Sequence, residues 1–233
     1  MKFLYIFLFP LIFISCGKKT DVKVPLNDNP GIHEIWDNSP VYILLKVEGN
    51  DTIADLKLGQ TISSTDWLVA VDRRLKMKDL VKPLQKILKK RHKKSIHSDG
   101  TKKAYFTYMD TLQKKVSFVD FDSIEIMPLI YTSGSYFKKY FKTDAQFNKT
   151  HITVSPGKLV INDTIQLNEP IDKVKLLNVY LRHIVHKMDE KRNGVYLNFD
   201  QNISFDRFLN YYSFFKNNPP PKGEINQRIF IFE

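Results

Sequence analysis

The side chains in this chain that could do chemistry are thinly spread, and few share a spacing that a reaction needs. His183 and His186 stand three apart in a run that reads as helix, and two imidazoles so spaced can hold one metal ion from a single helix face. Both lie off the apolar stripe centred on Leu181, so they are expected to face solvent with no third ligand, and no metal is expected. Asp200 and Asp206 could serve as an acid–base pair. Asp200, however, opens an Asp-Gln-Asn turn, and Asp206 falls in a first helical turn, where free N–H groups favour a carboxylate. His33, His92, His97 and His151 are scattered, two of them among lysines. No glycine-rich phosphate loop and no Gly-x-Ser-x-Gly elbow is present in the sequence. Asn148-Lys-Thr150 and Asn162-Asp-Thr164 fit the glycosylation pattern, although strand-end chemistry accounts for both. The expectation is a protein without catalysis and without a cofactor. One thiol remains, Cys16, the only cysteine.

The residues before that thiol give it a role. Lys2 precedes an apolar run from Phe3 to Ile14, interrupted by Pro10 and closed by Ser15. The run is about half of the roughly 20 residues a helix needs to cross hydrocarbon. A short apolar segment ending at small residues is the pattern of a removable export signal. Phe13-Ile14-Ser15-Cys16 resembles the cleavage box of bacterial lipoproteins, with Phe13 in place of the usual leucine. That resemblance implies cleavage before Cys16, acyl chains on its sulfur, and a chain held on a membrane in the cell envelope, facing the periplasm. Several acyl chains together make such anchoring stable. With Cys16 spent on lipid no cysteine is left for a disulfide, so the fold must rest on its core.

Composition supports that core, being 42% hydrophobic and 13% aromatic. The net charge of +11 is concentrated: Lys86, Lys89, Lys90, Arg91, Lys93 and Lys94 crowd together, with Lys102 and Lys103 following. Export removes nucleic acid from the candidate partners. Lipid headgroups, lipopolysaccharide and cell-wall carboxylates remain, beside the plainer reading of a solvated helix end.

Residues 16–38 are rich in turn formers and read as a flexible tether. Val41–Val47 and Thr52–Leu58 read as a hairpin, and Trp67–Val71 as a strand. Met77, Leu80, Leu84, Ile87 and Leu88 recur at helical spacing, with Asp79 as the N-cap and Pro83 in the first turn. Ala104–Met109 and Val116–Ile126 read as strands, and Tyr131–Asn148 is ambiguous. Ile152–Val154 and Leu159–Ile165 form a second hairpin. A helix opens at Pro170, buries Val174, Leu177, Leu181, Ile184, Val185 and Met188, and ends at Asn193-Gly194. Val195–Phe199 is a strand. Ser204 caps a helix burying Phe205, Phe208, Tyr212 and Phe215, and Arg228–Phe232 is a final strand.

The order ββαβαβ describes an α+β two-layer sandwich with two helices on one face of a four-stranded sheet. The hairpin Ile152–Asn162, the helix from Pro170, and Val195-Tyr-Leu-Asn-Phe-Asp200 followed by Ser204-Phe-Asp-Arg-Phe-Leu209 resemble the periplasmic domain of the ExbD/TolR family of biopolymer-transport proteins. The likeness covers residues 150–233, and residues 39–149 read as a diverged copy. Family members carry an acidic transmembrane helix for proton-driven work. This chain has no Asp or Glu before Asp21, so proton transduction does not carry over. The resemblance implies a lipid-anchored envelope module for binding and assembly, associated with biopolymer transport. Its expected partners are an envelope protein, the cell wall or a second copy of the chain. The strand Arg228, Ile229, Phe230, Ile231 and Phe232, at a sheet edge, is the expected partner-binding element. The alternative is an envelope enzyme or small-ligand carrier with a pocket between the halves. Convergent polar groups with shifted titration points in a pocket would favour the alternative, and a shallow exposed sheet edge or apolar face the binding module.

Overall fold

Alternation shapes the first strands: along Asn38–Glu48, Ser39, Val41 and Ile43 turn inward while Tyr42 stays outside. The computed structural model describes residues 21–49, 51–59, 61–93, 101–127, 132–140, 147–185 and 192–233. Its elements are β1 (Leu26–Asn27), β2 (Asn38–Glu48), β3 (Asp51–Lys57), β4 (Asp66–Val71), α1 (Met77–Arg91), β5 (Ala104–Asp110), β6 (Lys115–Asp120), β7 (Glu125–Met127) and α2 (Ser133–Tyr140). There follow β8 (Phe147–Ser155), β9 (Lys158–Ile161), β10 (Ile165–Asn168), α3 (Lys173–Val185), β11 (Arg192–Asp200), α4 (Phe205–Asn217) and β12 (Gly223–Phe232). The chain is a mixed α and β structure with two six-stranded sheets.

The sheets share a four-strand order. The first reads β3-β2-β4-β5, and the second β9-β8-β11-β12. In each, an antiparallel hairpin is followed by two parallel strands, joined to one another through a helix. Helices α1 and α4 touch both sheets: α1 meets β3 as well as β7 and β12, and α4 meets β1. Phe106 of β5 packs edge-on against Phe205, Phe208 and Tyr212 of α4, and Phe199 of β11 does the same with Phe208. One hydrophobic core therefore runs through both halves.

Several elements differ from the sequence reading. Residues 21–38 do not behave as a tether. β1 pairs with β5, and Asn27 and Asn29 are buried against α4, where both amides donate to the Ser213 hydroxyl. Gly31 is required there, because an added Cβ would lie 2.1 Å from the Tyr108 hydroxyl. Asp79 is not the N-cap of α1. Lys76 is, and Asp79 accepts its backbone N–H three residues on, while Pro83 lies inside the helix. Helix α3 begins at Lys173; Leu176, Tyr180 and Ile184 are its buried residues, Leu177 and Leu181 of the expected stripe pack partly buried against the core, and Val174 is 66% exposed. Asn193-Gly194 belongs to β11 rather than to a helix stop. Met188 lies outside the described residues. The division at residue 149 is also crossed: β7 pairs with β12, and α2 holds β11 through the Ser133 N–H on Asn198 Oδ1.

Candidate functional site

The two halves meet at a pair of loops that exchange equivalent hydrogen bonds. Met77 N–H donates to Ile203 O (3.0 Å) and Phe205 N–H to Leu75 O (2.7 Å); Lys78 N–H donates to Gln201 O (2.9 Å) and Asp206 N–H to Arg73 O (3.2 Å). Asp72 and Asp200 each accept the N–H two residues on, from Arg74 (3.1 Å) and Asn202 (2.7 Å). This places Asp72 opposite Asp200, Leu75 opposite Ile203, and Met77, Leu80, Leu84 and Ile87 of α1 opposite Phe205, Phe208, Tyr212 and Phe215 of α4. All eight helix side chains in that match are buried. The same match sets Lys78, Asp79, Lys82, Pro83 and Lys86 opposite Asp206, Arg207, Asn210, Tyr211 and Phe214. Those two sets line two clefts.

In the second half the seat beside α4 is filled. Residues 162–191 connect β9 to β11; they add β10 to the outer side of β9 and lay α3 over α4. Tyr180 of α3 packs edge-on against Phe215 of α4, and the cleft left between them has a volume of about 300 Å³. Most of its charged groups pair with one another, although Arg207 Nε is buried without a hydrogen-bond partner among the described residues. Glu169 Oε1 accepts from Tyr211 OH (2.6 Å) and pairs with Arg207 Nη2 (2.7 Å), while Arg207 also donates to Ser155 O. Burial, then the neighbouring Glu169 carboxylate, pushes the Tyr211 phenol well above its ordinary value. Lys173 pairs with Asp28 and donates to Asn29 Oδ1 (3.1 Å), and partial burial brings its ammonium down to about 8.

In the first half no described residue covers the corresponding seat. Residues 58–65 alone connect β3 to β4, so neither a strand beyond β3 nor a helix over α1 is supplied. β3 is the last strand of its sheet. Among the described residues its backbone hydrogen bonds go to β2 only. The groove between β3 and α1 has a volume of about 460 Å³, with Thr52, Ile53, Ala54 and Leu56 on one side and Lys78, Lys82 and Lys86 on the other. Those lysines stand at i, i+4 and i+8 on one exposed line of α1. No carboxylate among the described residues forms an ion pair with them, and Asp79 beside them is engaged by the Lys76 N–H (3.4 Å).

Part of the basic cluster counted from sequence is answered by carboxylates from other elements. Arg91 lies over the Trp67 ring and against Asp122 (3.6 Å), with its side chain 5% exposed. His92 also meets Asp122, Lys103 meets Asp120, and Lys102 meets Asp37 and Asp66. Lys90 donates to Thr61 Oγ1. Among the described residues, Lys78, Lys82 and Lys86 on the preceding turns of α1 form no ion pair with a carboxylate, and neither do Lys89 and Lys93.

Of the residues singled out from sequence, Cys16, Lys94, His97 and His186 lie outside the described residues. Arg228–Phe232 does not form a sheet edge. β12 lies between β11 and β7, Arg228–Phe230 pair with Glu125–Met127, and Ile229, Phe230 and Ile231 are buried. A strand cannot be added along Arg228–Phe230, because β7 already occupies that side. His183 is half-buried on Asn162 (2.8 Å) rather than facing solvent. Asp200 and Asp206 serve the turn and the Leu26 N–H respectively. The sequence reading missed a Ser–His contact, Ser133 Oγ to His151 Nδ1 at 2.6 Å. The Ser133 hydroxyl belongs to a fully buried residue and fastens α2 to β8, out of a substrate's reach. Among the described residues no cluster of metal-ligating side chains occurs, and no helix is long and apolar enough to cross a membrane. No family model, curated protein or solved structure matches the chain.

Proposed function

We propose that this chain is a lipid-anchored binding and assembly module of the cell envelope, tethered through Cys16 and facing the periplasm. Each half is a version of one hairpin–strand–helix–strand unit, and residues 150–233 are its ExbD/TolR-like form. The observation that carries the reading is the open edge of β3 beside α1. An unpaired strand edge is a ready template for another chain, and soluble proteins usually cover or blunt it. The second half covers its equivalent edge with β10, whereas no described residue pairs with the outer side of β3 in the first. The pocket alternative rests on the α3–α4 cleft, where the pKa of Tyr211 is raised and that of Lys173 lowered, but there Glu169 already pairs with Arg207 and Lys173 with Asp28.

Two measurements in intact cells test the proposal. Labelled fatty acid is expected to enter the wild-type protein and not Cys16→Ala. A photo-crosslinking residue at Ile53 is expected to join an envelope protein or cell-wall fragment, while one at Gln166 on β10 gives no adduct. Unchanged labelling of Cys16→Ala overturns the anchor. Equal adducts at Ile53 and Gln166 overturn the assignment of the edge.

A further inference from the structure

The bare seat and the filled one differ in chemistry as well as in occupancy. Where α4 presents Asp206, Asn210 and Phe214, α1 presents Lys78, Lys82 and Lys86. Phe214 is 4% exposed under its covering, and its counterpart Lys86 is exposed. The opposite wall keeps a partly apolar character, with Ala54 and Leu56 packed against the core. We infer that this seat takes an extended acidic segment of a partner protein, which adds to β3 as an antiparallel strand while its carboxylates meet Lys78, Lys82 and Lys86.

Three features carry the inference, which rests on the binding-module reading above. First, the molecule shows the mode once already: β10 pairs antiparallel to β9, the strand equivalent to β3. Second, the spacings agree. Four residues of helix advance about 6 Å, and two residues of strand advance about 6.7 Å. Acidic side chains at alternate positions of an added strand would therefore keep step with lysines at i, i+4 and i+8. Third, the sign disfavours the nearest competitor. A chain of net charge +11 is a poor occupant of a lysine-lined groove on a second copy of itself. Main-chain hydrogen bonds would supply affinity, and charge would supply selectivity and on-rate.

The test uses the full-length protein in detergent and a fluorescein-labelled (Glu-Val)₄ peptide, read by anisotropy. (Lys-Val)₄ and (Glu-Pro)₄ serve as controls; the second keeps the charge but cannot complete a strand ladder. Binding of (Glu-Val)₄ alone is expected, with slowed amide exchange across Asp51–Lys57 and at least tenfold weakening in K78E/K82E/K86E. The milder K78Q/K82Q/K86Q variant, with an unchanged far-UV spectrum, should weaken binding in the same direction. The inference is overturned by failure of (Glu-Val)₄ to bind, by equal binding of (Glu-Pro)₄, or by indifference to both triple variants. It is also overturned if phosphatidylglycerol vesicles bind through these lysines while (Glu-Val)₄ does not. Cys16→Ala should bind the peptide as well as wild type, so failure of the lipid anchor and failure of this groove are read separately.

Discussion

The halves of this molecule share a strand order and a set of loop hydrogen bonds, yet among the described residues one half covers its outer groove and the other does not. The difference lies in one connection. Residues 162–191 build β10 and α3 over the second half, and residues 58–65 build neither over the first. Composition follows coverage. Under α3 the α4 surface holds Tyr211 and a buried Phe214; on the open side the matching positions are Pro83 and an exposed Lys86. The buried registers facing the shared core stay apolar in both, from Met77 and Phe205 to Ile87 and Phe215. The shared fold thus constrains the inward stripe, and the presence of a cover decides the outward one.

The largest test of this comparison asks whether the halves are one folding unit. Phe208 and its counterpart Leu80 are both fully buried in the common core. Phe208→Ala should cost about 3–5 kcal/mol and Leu80→Ala about 2–5 kcal/mol. Each should shift a single denaturant transition followed by far-UV circular dichroism, because the two side chains belong to the same cluster. Two separate transitions, of which only one moves in each variant, would break the picture of a shared core.

A charge placed under the cover comes next. Phe214→Lys sets an ammonium where the ring is 4% exposed beneath α3. A buried, unpaired charge is costly, and the long lysine stem reduces that cost by reaching toward the cleft. A loss of about 2–3 kcal/mol in denaturant stability is expected, on the scale of an unpaired buried polar group. A loss below about 0.5 kcal/mol, within the range of an ordinary surface change, would show that α3 does not cover this position in solution.

The paired aspartates give a smaller contrast with a pH signature. Burial opposes the charge of Asp72, but hydrogen bonds from the Arg74 guanidinium (2.9 and 2.7 Å) and N–H outweigh it and hold the carboxyl below its ordinary value. A lowered folded value stabilises the ionised form. That contribution is complete above the unfolded value, near about pH 4, and fades as pH falls through the folded one. Asp72→Asn should therefore lose about 1–2 kcal/mol at neutral pH, the scale of hydrogen bonds to a charged group, and little in strong acid. Asp200, which has no guanidinium partner in its turn, should tolerate Asn better. Urea titrations of both variants at pH 7 and pH 3 make the comparison; equal losses at both pH values would remove Arg74 from the account.

How much of this was legible in the sequence follows from where each signal sits. Helix α4 was readable because its start is local. Ser204 accepts the Arg207 N–H (3.3 Å), and the apolar stripe begins at the next residue. The hairpins and the strand at Trp67 were readable for the same reason. Helix α3 was misplaced by a few residues, because its stripe contains more apolar side chains than its seat can bury. Leu176, Tyr180 and Ile184 take the seat, while Val174 is left outside. The position of β12 depended on Glu125–Met127, about a hundred residues away, so no local pattern could show that its edge was taken. The basic run misled for a related reason: Asp37, Asp66, Asp120 and Asp122 answer Arg91, Lys102 and Lys103 from distant strands and loops. The candidate groove was hidden altogether, since Lys78, Lys82 and Lys86 acquire meaning only from a neighbouring strand with a free edge.

The reciprocal of the Phe214 substitution has the smallest expected effect on stability and the sharpest bearing on the comparison. Lys86→Phe places a ring on the open line of α1, at the position where Phe214 sits beneath α3. With no cover to bury it, the ring should change unfolding free energy by less than about 0.5 kcal/mol, as surface substitutions do. It would, however, enlarge the apolar wall beside an unpaired strand edge and remove one of the three charges that keep a second basic chain away. Light scattering should then show concentration-dependent self-association that wild type lacks, and K86Q should show less of it because it removes the charge without adding apolar surface. A clear gain in stability for the monomeric Lys86→Phe protein would mean that something in this chain already covers α1 there. In that case the contrast between a filled seat and a bare one would fail.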